Sequence, residues 1–318
     1  MPHKPPPLRR PLSDVDIRLL RLFKTVVECG GFSAAEVELD ISRAAISQHM
    51  ADLEQRVGLR LCQRGRAGFS LTDEGRQIHA ASLKLLAALE DFRTEVNSVH
   101  ARLRGELNIG ITDNLVTMPR MRITDALRSL KDAGPDVRIN IRMIPPNEIE
   151  LGVLDGHLHV GVVPEVRPLA GLDYRPLYDE ESRLYCGIGH SLFALRAAEI
   201  EPEAVAAADA VAPAYAQTPE IRSLHQRLNP SATASDREGV AFLILTGRYI
   251  GYLPTHYARQ WVEQSRMRAL PWPPYTTELY VITRKGSRPN LVLDTFLGLL
   301  FGRGAEQSQA GEAHSTRP

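Results

Sequence analysis

The stretch ISRAAISQH, Ile41 to His49, decides how the first part of this chain is read. Ser42 stands where a helix N-cap is wanted, and Ile46, Met50, Leu53 and Val57 then recur at helical spacing. A helix is therefore predicted from Ser42 to about Val57, stopped by Gly58. Arg43, Ala44, Ser47 and Gln48 lie opposite that apolar stripe. This face is too polar for a core, and an ordinary solvated face carries Glu and Lys instead. A helix that must approach base edges needs this mixture: small Ala44 permits contact and Ser47 donates or accepts. Gln48 suits a bidentate contact to adenine, and Arg43 suits guanine or a phosphate.

The flanking sequence supplies the rest of a DNA-binding unit. Ser13 is the expected cap of a first helix, with Asp14 and Asp16 in its first turn and Ile17, Leu20, Phe23, Val26 and Val27 on one face, ending at Gly30-Gly31. Ser33 is expected to cap a short second helix through Leu39. After Gly58, LRLCQRGRAGFSLT offers two β-prone pieces, 59–63 and 69–72, as a hairpin with Arg64 and Arg66 at or beside its tip. Three helices and a hairpin describe a winged helix-turn-helix over residues 13–72.

From Asp73 the pattern changes to one long helix ending near residue 103. Leu85, Leu89, Phe92, Val96, Val99 and Leu103 step by four and three residues alternately, an a/d seam that a lone helix has no use for. A helix packed only on its own domain would carry a wider stripe. Residues 73–104 are thus expected to form a dimerising linker helix.

Beyond Gly105, strands and helices alternate: ELNIGI, LVTMPRMRITDALRSLK, VRINIRMI, PNEIELGVLDG and LHVGVVP read as βαβαβ, which implies a parallel sheet. Further strands are predicted at SRLYCGIG, DAVAPAY, YIGYLP and TELYVIT, with helices at PEIRSLHQRL, REGVAFLILTG, HYARQWVEQ and NLVLDTFLGLLF. Pro-rich EVRP and PWPP are natural crossing points, so two lobes are expected: 105–165 with 273–304, and 166–272. Residues 1–12 and 305–318 lack the apolar content to order themselves and read as disordered tails. The fold class is α/β multi-domain.

Composition narrows the function. The 318 residues are 43% hydrophobic and 24% charged, with a formal net charge of zero. Residues 1–104 hold 16 Lys/Arg against 13 Asp/Glu, and the remainder 22 against 25, so the N-terminal end leans toward an anionic partner. Cys29, Cys62 and Cys186 show no CxxC spacing, and no secretory signal or bilayer-spanning run occurs. A cytoplasmic protein with no membrane partner is expected.

The signature GGFSAAEVELDISRAAISQHMADLEQRVGLRLCQRGRAGFSLTDEG resembles the LysR-type transcriptional regulators, and the likeness extends more loosely over nearly the whole chain. GVLDGHLHVGVV, CGIGHSLF and GRYIGYLP are similar to elements of that family's sensor. The resemblance implies a two-lobed effector-binding domain of the periplasmic-binding-protein kind, and a regulator that reads promoter DNA under control of a small organic effector. It also implies self-association as a homodimer and homotetramer, RNA polymerase as a candidate partner, and no cofactor. Arg64 matches the wing arginine, which in the family reaches the minor groove. The sequence departs from the family pattern at Arg43, Cys62, Glu74, Pro146 and His159.

In two-lobed folds, ligands sit at the carboxyl ends of strands, near helix N-termini. Thr112, Asp113 and Asn114 end the first strand of the sensor, and Pro146 and Asn147 follow the second. Ala212, Tyr215 and Tyr252 are expected to face them from the second lobe. The rivals are an α/β enzyme and a solute-binding protein carrying an accessory DNA-binding domain. Neither GxSxG, GxGxxG nor P-loop spacing occurs, and no base adjoins a cysteine, so no catalytic residue is assigned. His157 and His159 sit two apart, as on one strand face, but lack a third metal ligand, so no metal is expected.

Overall fold

A computed structural model describes residues 11–65, 68–99, 103–164, 167–214, 217–287 and 289–302. They form two compact units, divided between Arg93 and Thr94. The expected tails, 1–12 and 305–318, fall almost wholly outside the described residues.

The first unit opens with helix α1 (Asp14–Glu28), capped by Ser13, whose backbone N–H donates to Asp16 at 2.8 Å. Helix α2 (Phe32–Leu39) is capped by Gly31 and not by Ser33, which is an exposed residue inside the first turn. Gly31 adopts φ 146°, a conformation that closes the turn onto Phe69 and that a side chain rarely permits. Helix α3 (Arg43–Val57) starts at Ser42, whose Oγ accepts from the Ala45 N–H, and stops at left-handed Gly58. Ile46, Met50 and Leu53 are buried with Phe23 and Val26 in one core.

The hairpin is strand β1 (Cys62–Gly65) against β2 (Gly68–Leu71), antiparallel, with Arg64 opposite Phe69. Its first strand is displaced from the expected 59–63 because Leu61 and Cys62 belong to the core, and both their N–H groups donate to Glu54 Oε1. Helix α4 (Asp73–Val99) follows. At its start Gly75 lies so close to the Leu61 carbonyl that a Cβ would meet that oxygen at 2.0 Å.

Along α4 the expected seam divides. Leu85 packs on the first unit's core, whereas Phe92 and Val96 are 62% and 43% exposed. Leu89 is half-buried, and the side chain of Val99 lies outside the described residues. Leu103 is not part of the helix: its side chain packs on the core of the first sensor lobe, touching the turn at Gly134. It is therefore withdrawn from the seam.

Among the described residues, the second unit is built on a nine-stranded sheet. Strands β3 (Gly105–Ile111), β4 (Val137–Met143) and β5 (Val160–Pro164) pair in parallel, connected by helices α5 (Arg122–Ala133) and α6 (Pro146–Asp155). The long strand β6 (Leu172–Gly187) then leads to α7 (Pro202–Ala207), β7 (Asp209–Pro213), α8 (Pro219–His225), β8 (Asn229–Ala234), α9 (Arg237–Leu245), β9 (Ile250–Pro254), α10 (Thr255–Glu263) and β10 (Met267–Ala269). Strand β11 (Tyr275–Arg284) returns, and α11 (Leu291–Gly302) packs against α5. The strand order is β4-β3-β5-β11-β6-β9-β7-β8, with β10 beside β6.

The lobes meet within two strands and not at the Pro-rich segments. Leu172, Leu177 and Tyr178 pack in first-lobe cores, while Leu184 and Cys186 of the same strand pack in the second. The first crossing thus falls near residue 180, not 165. Strand β6 starts ten residues before the predicted SRLYCGIG because Pro176 sits beside a bulge: Tyr280 faces Pro176, Leu279 faces Tyr178, and Leu177 has no partner in the ladder.

Candidate nucleic-acid interface and sensor cleft

The outward face of α3 carries the polar set that the sequence predicted. Arg43, Ala44 and Gln48 are exposed and Ser47 is half-buried, opposite the buried Ile46, Met50 and Leu53. Two contacts order this face. The Arg43 N–H donates to Glu36 Oε1 at 2.5 Å, tying the start of α3 to α2. Gln48 Nε2 donates to Asp52 Oδ1 at 2.9 Å, which leaves the amide oxygen outward as an acceptor. Small, polar and uncrowded, the face suits a groove of DNA. Arg64 lies on β1 with its side chain outside the described residues, and Arg66 lies outside them altogether.

In the sensor, Thr112, Asp113 and Asn114 leave the carboxyl end of β3, beside the carboxyl end of β4, which leads to Pro146 and Asn147. Thr112 is buried and its N–H donates to the Val162 carbonyl. Pro146 opens α6 half-buried, and Asn147 is exposed. Asn114 is buried in a left-handed conformation, φ 60°. Ala212 is half-buried on β7, opposite Thr233, and Tyr215 lies outside the described residues.

Tyr252 is not a cleft residue. It is buried in the second lobe among Leu184, Trp272 and Tyr275, and its hydroxyl donates to the Pro273 carbonyl at 2.7 Å. Burial pushes its phenol up to about 12. It was expected to face the first-lobe residues, but it stands in the middle of β9, which is buried on both faces, so alternation gives it no outward side.

Six polar residues that the sequence analysis had not joined meet between the lobes: Asp113, Asn114, Thr117, Glu180, Arg237 and His256. Asp113 accepts from the Arg237 backbone N–H at 2.6 Å and from Arg237 Nη1 at 3.3 Å. Arg237 Nη2 also approaches Glu180 Oε2 at 3.8 Å. Glu180, on the crossing strand, accepts from Asn114 Nδ2 at 3.2 Å and pairs with His256 Nε2 at 3.0 Å. The other His256 nitrogen lies 2.7 Å from Thr117 Oγ1. A carboxylate with 2% exposure is costly unless it is partnered in this way.

Two family models cover the chain: "Bacterial regulatory helix-turn-helix protein, lysR family" matches residues 17–76, and "LysR substrate binding domain" matches residues 100–304. The chain belongs to the LysR family. It is 64% identical over 289 residues to the HTH-type transcriptional activator BauR of Pseudomonas aeruginosa, covering 90% of this chain and 94% of that one. Its fold is similar to that of the LysR regulator CbnR in a full-length complex with target DNA, with a TM-score of 0.61 at 18% identity over 89% of this chain and 98% of that one. A full-length OxyR variant from Pseudomonas aeruginosa gives 0.55 at 17% identity over 92% and 94% of the two chains. This protein is a LysR-type DNA-binding transcriptional regulator and not an enzyme.

Three departures from the LysR pattern have structural accounts. Cys62 replaces an aromatic and is buried in the first unit's core. Glu74 is exposed in the first turn of α4, where a negative charge is favoured by the helix dipole. His159 precedes β5 in a turn, and its Nδ1 accepts from the Asn108 N–H at 3.1 Å. His157 lies in the same turn, not on a strand, and among the described residues no cluster of His, Cys, Asp or Glu is arranged to hold a metal ion. Among the described residues no helix is long and apolar enough to cross a membrane.

Proposed function

We propose that this LysR regulator reads promoter DNA with the outer face of α3 and the β1–β2 hairpin, and that a small organic effector bound between the sensor lobes controls it. The observation that carries the effector reading is the interlobe cluster, in which Asp113 and Asn114 of one lobe meet Arg237 and His256 of the other around Glu180. Polar groups from both lobes at the carboxyl edge of a sheet are what a hinge-closing ligand engages. Exposed Phe92 and Val96 on α4 support a homodimer, and dimers pairing through their sensors would give a tetramer. As BauR is described as an activator, activation through RNA polymerase is the proposed mode here, in the cytoplasm and with no cofactor beyond the effector.

The test is a small-metabolite panel against the full chain, read by thermal shift and by binding to a promoter fragment. A ligand that raises the melting temperature and alters the DNA complex, and fails to do so after Glu180→Gln or Arg237→Gln, supports the cleft as the effector site. A ligand that acts equally on both variants places that site elsewhere.

A further inference from the structure

Asp113 and Arg237 are arranged as a ligand and its receptor. Both oxygens of one carboxylate are held by two donors of a single residue: Oδ2 by the Arg237 backbone N–H at 2.6 Å and Oδ1 by Arg237 Nη1 at 3.3 Å. The backbone donor belongs to the first turn of α9, where N–H groups have no partner within the helix itself, and the guanidinium adds a planar fork. The two donors are shaped for a carboxylate, and the carboxylate that fills them comes from the opposite lobe.

The two acids around Arg237 differ in how easily they leave. Glu180 is 2% exposed and tied to Asn114 and His256, so moving it would strand a buried charge. Asp113 is 26% exposed and can turn into water. The exchangeable acid is therefore Asp113.

We propose that Asp113 is an internal stand-in for the effector, and that the effector is a small molecule bearing a carboxylate which displaces it from Arg237. This rests on the reading above that the effector binds between the lobes, and adds to it the ligand class and the anchoring residue. Exchange breaks the direct link from β3 to α9 and replaces it with a link through the ligand. It thereby changes what holds the lobes together without removing a charge from Arg237.

The test uses the full-length protein with propionate and propionamide as probes, at constant ionic strength, by titration calorimetry and thermal shift. Propionate is expected to bind and propionamide not. Asp113→Asn removes the competing charge and is expected to tighten propionate binding about tenfold. Arg237→Lys, which keeps the charge and loses the fork, is expected to weaken it about tenfold, and Arg237→Gln to abolish it. Binding seen only in Asp113→Asn also supports the exchange. Equal response to the amide, weaker propionate binding in Asp113→Asn, or undiminished binding in Arg237→Lys overturns it. If carboxylates fail while an uncharged ligand still shifts the sensor and loses its effect in Glu180→Gln, this inference falls and the cleft reading stands. If no small molecule acts on the sensor, both fall.

Discussion

The amide nitrogen of Gln48 is already engaged by Asp52, so a base contact by Gln48 would be set partly by a neighbour one turn away. Gln48→Ala is expected to cost about 1–3 kcal/mol at one base pair and to relax preference there, with little change in binding to unrelated duplex. Affinity measured against a set of single-base-pair variants checks this, and an equal fall for all sequences would mean that Gln48 only touches backbone. A second residue-scale prediction concerns His225, which stacks near Tyr252 and Tyr275 and whose buried Nε2 has no hydrogen-bond partner. Burial lowers its pKa from 6.5 to about 4. Between those values the unfolded chain binds a proton that the folded chain refuses, so stability is lost as pH falls through that window, by up to about 3 kcal/mol. His225→Phe should keep the ring packing and lose less sensor melting temperature than wild type between pH 7 and pH 5. The same slope in both proteins would show that His225 is not the group responsible. The α3 face was legible in the sequence because a single helix carries all of it. The interlobe cluster was not, because its pairs join residues dozens of positions apart on different elements, and each member reads locally as an ordinary turn, strand or helix residue.

Elements with one buried face were legible as well, because periodicity is a local signal. The helices other than the short α7, and the parallel β3, β4 and β5, follow from it, whereas β8 (NPSATA) lacks the bulky apolar residues that mark a strand and β6 is interrupted by Pro176 at its bulge. The a/d spacing of α4 ran together two kinds of apolar residue that only the fold separates. Leu85 belongs to the core of its own unit, while Phe92 and Val96 remain exposed. The prediction at this scale is that Phe92→Glu with Val96→Glu lowers the mass measured by light scattering to that of a monomer while leaving the helical circular dichroism in place, because the charges would be buried only in the assembled form. Leu85→Ala should do the reverse, lowering the melting temperature of the DNA-binding unit by removing core packing. An unchanged mass in the double variant would remove these residues from the seam.

At the scale of the whole molecule, the two sensor lobes are joined by a ribbon of two antiparallel strands, the proposed hinge. β6 and β11 stay paired from Leu172 with Arg284 to Ser182 with Tyr275, and the bulge at Leu177 lies within this stretch. A continuous ladder with one irregularity can bend without losing its hydrogen bonds, so lobe closure need not disturb either core. On the proposed reading, closure would be passed on to the DNA-binding units through the assembly that the sensors and α4 are proposed to form. An effector can shift that assembly only by binding one of its states more tightly than the other, with about 1.4 kcal/mol of difference for each tenfold change in population. The α3 faces themselves are folded within their own units, so their contacts with a single half-site should change little. What changes is the separation over which two faces reach their half-sites. The expected outcome is that an effector alters footprint length or DNA bend on a promoter fragment, while affinity for an isolated strong half-site stays within about twofold. Footprinting and half-site titration of the full chain, with and without ligand, measure the two quantities separately. A ligand that changes half-site affinity and leaves the footprint unaltered would show that the signal reaches α3 directly and not through the spacing of the assembly.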